Sequence, residues 1–291
     1  MLTPWLALPP VVASLEAMSD SAGLDLVTLG STASADEIKD TAVTQPLVVA
    51  TTLVAAAELV LPADAPAAGH SVGELAAASL AGVLDPLDAV RLAAVRGHAM
   101  ARCCAQAATS MSAVLGGEVD TVLAALSGKG LVGANVNGAG QIVAAGAVDA
   151  LTALAADPPP GSRIIPLSVA GAFHTAYMAG AQDDLAAQVA SLAFADPTRP
   201  LLTNSDGSVV TSGAAYLSLL VNQVTSPVRW DLCMAALARL GVTGVIEFPP
   251  AGTLVGLVKR ELKGVATMAV KTPDDLDAAA AFVAEHAGAR A

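Results

Sequence analysis

Gly69-His70-Ser71-Val72-Gly73-Glu74 is the stretch on which the reading of the fold turns. Gly69 to Gly73 fits G-x-S-x-G, a sharp strand-to-helix turn that pushes a serine out at its tip. The flanking glycines are expected to allow close backbone approach there. The Val72 N–H would point at the oxyanion formed during acyl transfer, and a helix N-terminus adds a favourable dipole. The pentapeptide is short, and an ordinary glycine turn fits it about as well. The helical pattern at 73–81 supplies the context that the functional reading needs.

Working outward, helix and strand signals alternate, the mark of an α/β fold. The spacing predicts a helix over 43–60, a poorly formed strand near 65–70 and a long helix over 85–106. Asp85 suits the N-cap of that helix, and Pro86 its first position. From 108 to 169 the pattern reads β-α-β-β-α-β, with strands at 112–115, 131–135, 141–145 and 163–167 and helices at 118–127 and 148–156. That order is ferredoxin-like, and 108–169 is read as a small inserted domain. Residues 1–107 and 170–291 form the large α/β domain. There, helices are expected at 175–192, 213–222, 230–240, 253–261 and 273–287, with strands at 200–203, 245–248 and 266–269. Thr272-Pro273-Asp274-Asp275 is expected to cap the last helix.

Composition narrows the function classes. Hydrophobic residues make up 54% and charged residues 14%, which excludes a disordered chain. Aromatics are 3%, so the core is built from Ala, Val and Leu, which suits helices packed on a sheet. Lys and Arg number 14 against 26 Asp and Glu, a net charge of −12, which disfavours nucleic acid and anionic membrane partners. Lys259, Arg260 and Lys263 are the one local basic cluster. Cys103, Cys104 and Cys233 make neither a disulfide framework nor a zinc pattern. The 47–61 run is too short and polar to cross a bilayer. The start of the chain lacks a signal peptide's basic residues, so a reducing cytoplasm is expected.

A nucleophilic serine needs a base. Of His70, His98, His174 and His286, His286 falls in the C-terminal helix tail, read as solvated, and His98 on the surface of the long helix. His70 abuts Ser71, but consecutive residues on a turn point apart. His174 ends the small-residue loop Val169-Ala170-Gly171-Ala172-Phe173, a place that presents a side chain to a cleft. It is the best base by elimination, although the position also suits a helix-capping histidine. Arg96 shares a helix face with Leu92, Ala99 and Cys103. A desolvated arginine needs a carboxylate, either Glu74 or that of a substrate. Periodicity does not choose between them.

Taken together, these motifs resemble the malonyl-CoA:acyl carrier protein transacylase family. The resemblance rests on the Gly69 to Glu74 elbow, Val95-Arg96-Gly97 with Met100, Asn135-Val136-Asn137-Gly138-Ala139-Gly140-Gln141 and Gly171-Ala172-Phe173-His174-Thr175. Gln223 with Pro227-Val228-Arg229-Trp230 and Pro249-Pro250-Ala251-Gly252-Thr253-Leu254 follow in the family's order. Lys271-Thr272-Pro273-Asp274-Asp275-Leu276-Asp277 is similar to the actinobacterial form. The resemblance implies an α/β-hydrolase-like core with a parallel sheet plus the ferredoxin-like insert. It implies Ser71 as nucleophile, His174 as base, Val72 in the oxyanion hole and Arg96 on the malonyl carboxylate. The main-chain carbonyl of Gln223 would orient the base, and Phe173 would select malonyl over methylmalonyl groups. Malonyl-CoA and acyl carrier protein are the implied partners, fatty acid biosynthesis the implied process, and no cofactor is implied.

Two departures accompany it. The family's opening apolar strand and Gly-Gln-Gly loop have no counterpart before Met1-Leu2-Thr3-Pro4-Trp5, and the segment before the elbow carries Pro62 and Pro66. Slow acyl transfer or poor folding is therefore expected of this chain. A serine esterase or thioesterase, and a catalytically impaired carrier-protein-binding module, are the competing readings. Arg96 argues against the esterase, because neutral esters offer a buried cation no partner.

Overall fold

The computed structural model describes residues 1–287. It opens with a 3-10 turn at Trp5–Ala7 and helices α1 (Pro9–Ala22), α2 (Leu26–Ser31), α3 (Ala35–Lys39) and α4 (Thr41–Ala57). Of these the sequence pattern predicted only α4. The stop and start signals are nevertheless local. Pro9 and Pro10 open α1, and Gly23 ends it at a φ of 66°. Asp25 accepts from the Thr28 N–H, and Ser34 and Glu37 form a capping box. α5 (Gly73–Leu80) and α6 (Pro86–Cys104) follow, and the Asp85 carboxylate accepts from the Leu87 N–H at 2.8 Å, as the cap reading predicts.

α4 and α6 pack so closely that a Cβ at Gly97 would lie 2.5 Å from the Thr41 carbonyl oxygen. The same contact surface buries Leu47, Val49 and Ala50 of α4 with Leu92, Ala99 and Met100 of α6. This is the alanine- and leucine-rich core the composition implies. Arg96 sits on that buried stripe at 3% exposure.

Next come β1 (Thr109–Gly116), α7 (Val119–Gly128), β2 (Val132–Gly138), β3 (Gln141–Ala147), α8 (Val148–Ala156) and β4 (Ser162–Pro166). These four strands are antiparallel in the order β4-β1-β3-β2, the ferredoxin-like arrangement. Val114, Val122, Leu126, Val136, Ile142, Leu151 and Leu154 form a core of their own. The sheet does not stop at β2, because Val228–Arg229 pairs with it in parallel.

The return half contains a 3-10 turn at Ala176–Ala181, then α9 (Gln182–Val189), β5 (Leu201–Leu202), β6 (Val209–Val210), α10 (Gly213–Gln223), β7 (Val228–Arg229) and α11 (Trp230–Arg239). It closes with β8 (Gly244–Glu247), α12 (Thr253–Glu261), β9 (Ala266–Ala269), a 3-10 turn at Pro273–Asp275 and α13 (Leu276–His286). The single helix expected over 175–192 is thus split next to Gly180, a weak helix former. Asp275 accepts from the Thr272 N–H at 3.0 Å, so the predicted cap forms, but it opens the 3-10 turn before α13.

Apart from the β2–β7 pair, the parallel pairing among the described residues falls in two pieces. β8 and β9 pair over four residues, and Ala67 makes a single parallel bridge to Leu201. Proline donates no ladder hydrogen bond, so Pro62 and Pro66 leave the segment before the elbow as a bridge, in line with its expected weakness. A cavity of about 460 Å³ lies between the pieces, with Ala67, Gly69 and Val72 on one side and Val245 and Ile246 on the other.

Candidate active site

Ser71 stands between the Ala67 bridge and α5 with a left-handed φ of 54°. The turn explains one of its two glycines. A Cβ at Gly69 would lie 2.0 Å from the Gly73 carbonyl, whereas nothing lies within 4 Å of one at Gly73. The expectation that both glycines permit close approach is corrected accordingly: only Gly69 is sterically required. The Val72 N–H makes no hydrogen bond within the described residues. It is therefore a free donor one residue beyond the serine.

His174 reaches Ser71 from 103 residues away, its Nε2 2.7 Å from the Ser71 Oγ. Its Nδ1 lies 2.9 Å from the Gln223 main-chain oxygen. A carbonyl only accepts, so Nδ1 carries the proton and Nε2 is left to accept from the Ser71 hydroxyl. Burial, and secondarily the Arg96 charge, push the His174 pKa down to about 3. The ring is a neutral base throughout the physiological range. Phe173, beside it, is half-buried between the Met111 cluster of the antiparallel sheet and the main helical core.

Arg96 extends from α6 to the same point. One terminal nitrogen donates to Gln45 Oε1 at 2.5 Å. The other donates to Gln223 Oε1 at 2.7 Å and to Ser71 Oγ at 3.3 Å. The Glu74 reading from the sequence is not met by a direct ion pair with Arg96. The Gln223 side chain stands between them, donating to Glu74 Oε2 and, at 3.0 Å, to the Ser71 carbonyl. Burial lowers the Arg96 pKa to about 10 and raises that of Glu74 to about 7, each charge partly offsetting the other's desolvation. At neutral pH the guanidinium stays charged, facing a nucleophile and two neutral amide oxygens.

The other histidines separate cleanly. His70 turns away from Ser71 and pairs with Asn137 Oδ1 of β2 at 2.8 Å, edge-on to Trp230. His98 is exposed. His286 departs from the solvated position expected of it: its Nδ1 lies 2.9 Å from Thr243 Oγ1, and its ring packs on Phe282.

Gln45, Asn204 and the side chain of Gln223 are site residues that sequence reasoning missed, and Asn137 stood in a motif without a role of its own. Gln45 had a signal, a lone amide within an Ala-, Val- and Leu-rich helix. Asn204 had none, since Thr203-Asn204-Ser205-Asp206-Gly207 reads as a plain turn. Among the described residues, no helix is long and apolar enough to cross a membrane.

The chain as a whole has counterparts among known proteins. The acyl transferase domain family matches residues 10–283. The malonyl CoA-acyl carrier protein transacylase of Mycolicibacterium smegmatis is 56% identical over 285 residues, spanning 95% of this chain and 98% of that protein. The Escherichia coli K12 protein of the same name is 33% identical over 289 residues, spanning 96% and 94%. The crystal structure of MCAT from Mycobacterium tuberculosis matches with a TM-score of 0.92 at 55% identity, covering 96% and 94%. A malonyl-transacylase solved in complex with a type II PKS acyl-carrier protein matches with a TM-score of 0.88 at 30% identity, covering 97% and 94%. A serine, a neutral histidine and a buried arginine converge in a chain that belongs to the acyl transferase domain family and, within it, to the malonyl CoA-acyl carrier protein transacylases.

Proposed function

We propose that Ser71 carries the malonyl group between malonyl-CoA and the phosphopantetheine thiol of acyl carrier protein, in fatty acid biosynthesis. The Ser71 Oγ attacks the thioester carbonyl while His174 Nε2 takes its proton. The oxygen of the tetrahedral intermediate accepts from the Val72 N–H. Collapse breaks the C–S bond, and His174 returns the proton to the departing CoA sulfur. The carrier thiol then repeats these steps in reverse on the malonyl-serine, and Ser71 recovers its proton.

The observation that carries this reading is Arg96. Its charge is buried 3.3 Å from the nucleophile, and its hydrogen-bond partners are two amide oxygens and the Ser71 hydroxyl, with no carboxylate among them. A malonyl carboxylate can displace those amides and form a bidentate, charge-assisted pair. The Gln223 carbonyl holds the base in its working tautomer, in place of an acidic third member. Phe173 crowds a methyl branch at the acyl α-carbon, a discrimination of about 1–3 kcal/mol. The three cysteines are free thiols, which suits a cytoplasmic setting.

Isotope-labelled malonyl-CoA tests this. Stable label on Ser71 that passes to carrier protein, and that vanishes in Ser71→Ala, is the expected result. Label lost to water would make the chain a thioesterase instead.

A further inference from the structure

The nucleophile is held in a conformation that residues with a side chain seldom adopt. Ser71 has a φ of 54° and His174 a φ of 59°. Such strain persists only where the surroundings over-determine it. Around Ser71 the constraint converges on Asn204, a residue with 0% exposure in the turn after β5. Its Oδ1 accepts from the Ser71 N–H at 2.8 Å, and its Nδ2 donates to the Gly69 carbonyl at 2.8 Å. One amide therefore grips both peptide planes that flank His70. The Asn204 main-chain N–H in turn donates to Glu74 Oε1 at 2.7 Å, and its carbonyl accepts from the Arg229 N–H at 2.8 Å. The grip is thereby anchored to α5 on one side and to β7 on the other.

Asn204 makes no hydrogen bond to Ser71 Oγ, His174 or Arg96. Its effect passes through the main chain. With both planes fixed, the Ser71 Oγ is held 2.7 Å from His174 Nε2. We propose that Asn204 is a positioning residue for acyl transfer, holding the elbow in its left-handed turn. This rests on the reading of Ser71 as the acylated nucleophile.

Arg96 is held by Gln45 and Gln223, so loss of Asn204 should spare substrate binding and strike the chemical step. Misplacement of a reacting group by about 1 Å costs on the order of 100-fold. In Asn204→Leu the malonyl half-reaction should show kcat lower by about 10- to 1,000-fold, with KM for malonyl-CoA little changed.

Asn204→Asp separates positioning from bulk structure. A protonated aspartic acid has the same acceptor and a hydroxyl donor for the Gly69 carbonyl. An ionised one has no donor and repels both that carbonyl and the Glu74 carboxylate. The other titratable or charged groups packed here are the Cys233 thiol, 3.7 Å from Nδ2, His70 between the two gripped planes, Asp206 in the same turn, the Tyr216 hydroxyl on the Glu74 and Leu202 carbonyls, and Arg229 with Asp231 beside β7. Glu74 titrates in wild type and variant alike, so the half-reaction of Asn204→Asp, taken as a ratio to wild type at each pH, should approach one at low pH and fall as pH rises.

The assay is the pre-steady-state rate of Ser71 malonylation by intact mass, from pH 5 to 8, on wild type and both variants. A fluorophosphonate probe of Ser71 reactivity runs in parallel. No malonylation in the wild type sinks the parent reading and not this one. Wild-type kcat in folded Asn204→Leu overturns the positioning role. A pH profile for Asn204→Asp that follows wild type does the same, even if Asn204→Leu fails to fold.

Discussion

Replacing Arg96 with alanine should change what the enzyme transfers more than how well it folds. Two donors of the guanidinium are engaged at 2.5 and 2.7 Å by amide oxygens that a substrate carboxylate can displace. Truncating one partner of a buried, hydrogen-bonded charge pair costs about 2–5 kcal/mol. At about 1.4 kcal/mol per decade, malonyl transfer should fall roughly 30- to 4,000-fold. An acetyl group brings no carboxylate. It loses only the long 3.3 Å contact to Ser71 Oγ, a hydrogen bond of about 0.5–1.5 kcal/mol, or roughly tenfold at most. The fold should tolerate the change because Glu74 need not remain charged. Burial already lifts its pKa to about 7, and the Arg96 charge is one of the influences holding it down. Without Arg96 it rises further, and the acid is neutral at pH 7. Arg96→Lys should fall between, since an ammonium keeps the charge but not the fork. The assay is acyl-serine formation from malonyl-CoA and acetyl-CoA, compared as a ratio of kcat/KM values. Equal losses for the two acyl groups would mean that Arg96 serves the structure around Gln223 and Glu74, and the selection argument would fail.

Burial holds the His174 pKa at about 3 against an ordinary 6.5, so the unfolded chain takes up its proton first and stability is lost as pH drops through that window. Glu74 acts in the opposite sense, its pKa of about 7 against 4.5 making stability fall as pH rises. Between 4.5 and 6.5 the two oppose, each by about 1.4 kcal/mol per pH unit. Glu74→Gln should therefore make stability climb more steeply with pH there, and urea titrations giving the wild-type slope would refute the pair. Gly97→Ala should destabilise the chain by about 1–3 kcal/mol despite alanine's helix propensity, because its Cβ would meet the Thr41 carbonyl oxygen at 2.5 Å. An unchanged or raised melting temperature would show that α4 can give way. Lys259, Arg260 and Lys263 are exposed at the end of α12, and Glu261 between them accepts from the Ala139 N–H of the hairpin that carries Asn137. Reversing these three charges should raise KM for an acidic carrier protein and leave the malonyl-CoA half-reaction alone. Unchanged carrier KM at low salt would mean the cluster is only a solvated helix end.

Much of the architecture was legible because its signals are local. Asp85 and Pro86 mark the start of α6 through bonds that span two residues, and period-two runs with intervening turns spell out the order from β1 to β4. α1, α2 and α3 carry equally local caps at Pro9, Gly23, Asp25 and Ser34, but no long apolar period runs between them. The stripe of Leu92, Arg96, Ala99 and Cys103 is buried as helical spacing requires. That stripe marked Arg96 as a desolvated cation, but what it faces depends on Gln45, 51 positions away, and Gln223, 127 positions away.

The sequence by itself therefore determined the elbow, the candidate base and the buried cation, since a motif, a small-residue loop and a helical period each lie within a few residues. Only the tertiary structure decided how they are joined. Gln223 meets His174 through its carbonyl and Arg96 and Glu74 through its amide, and Asn204 closes on Ser71 from 133 residues along the chain. No sequence period encodes such partners. Which amide oxygen faces which donor is settled when distant elements pack, because a polar group buried there must find its hydrogen bond among whatever neighbours the fold supplies.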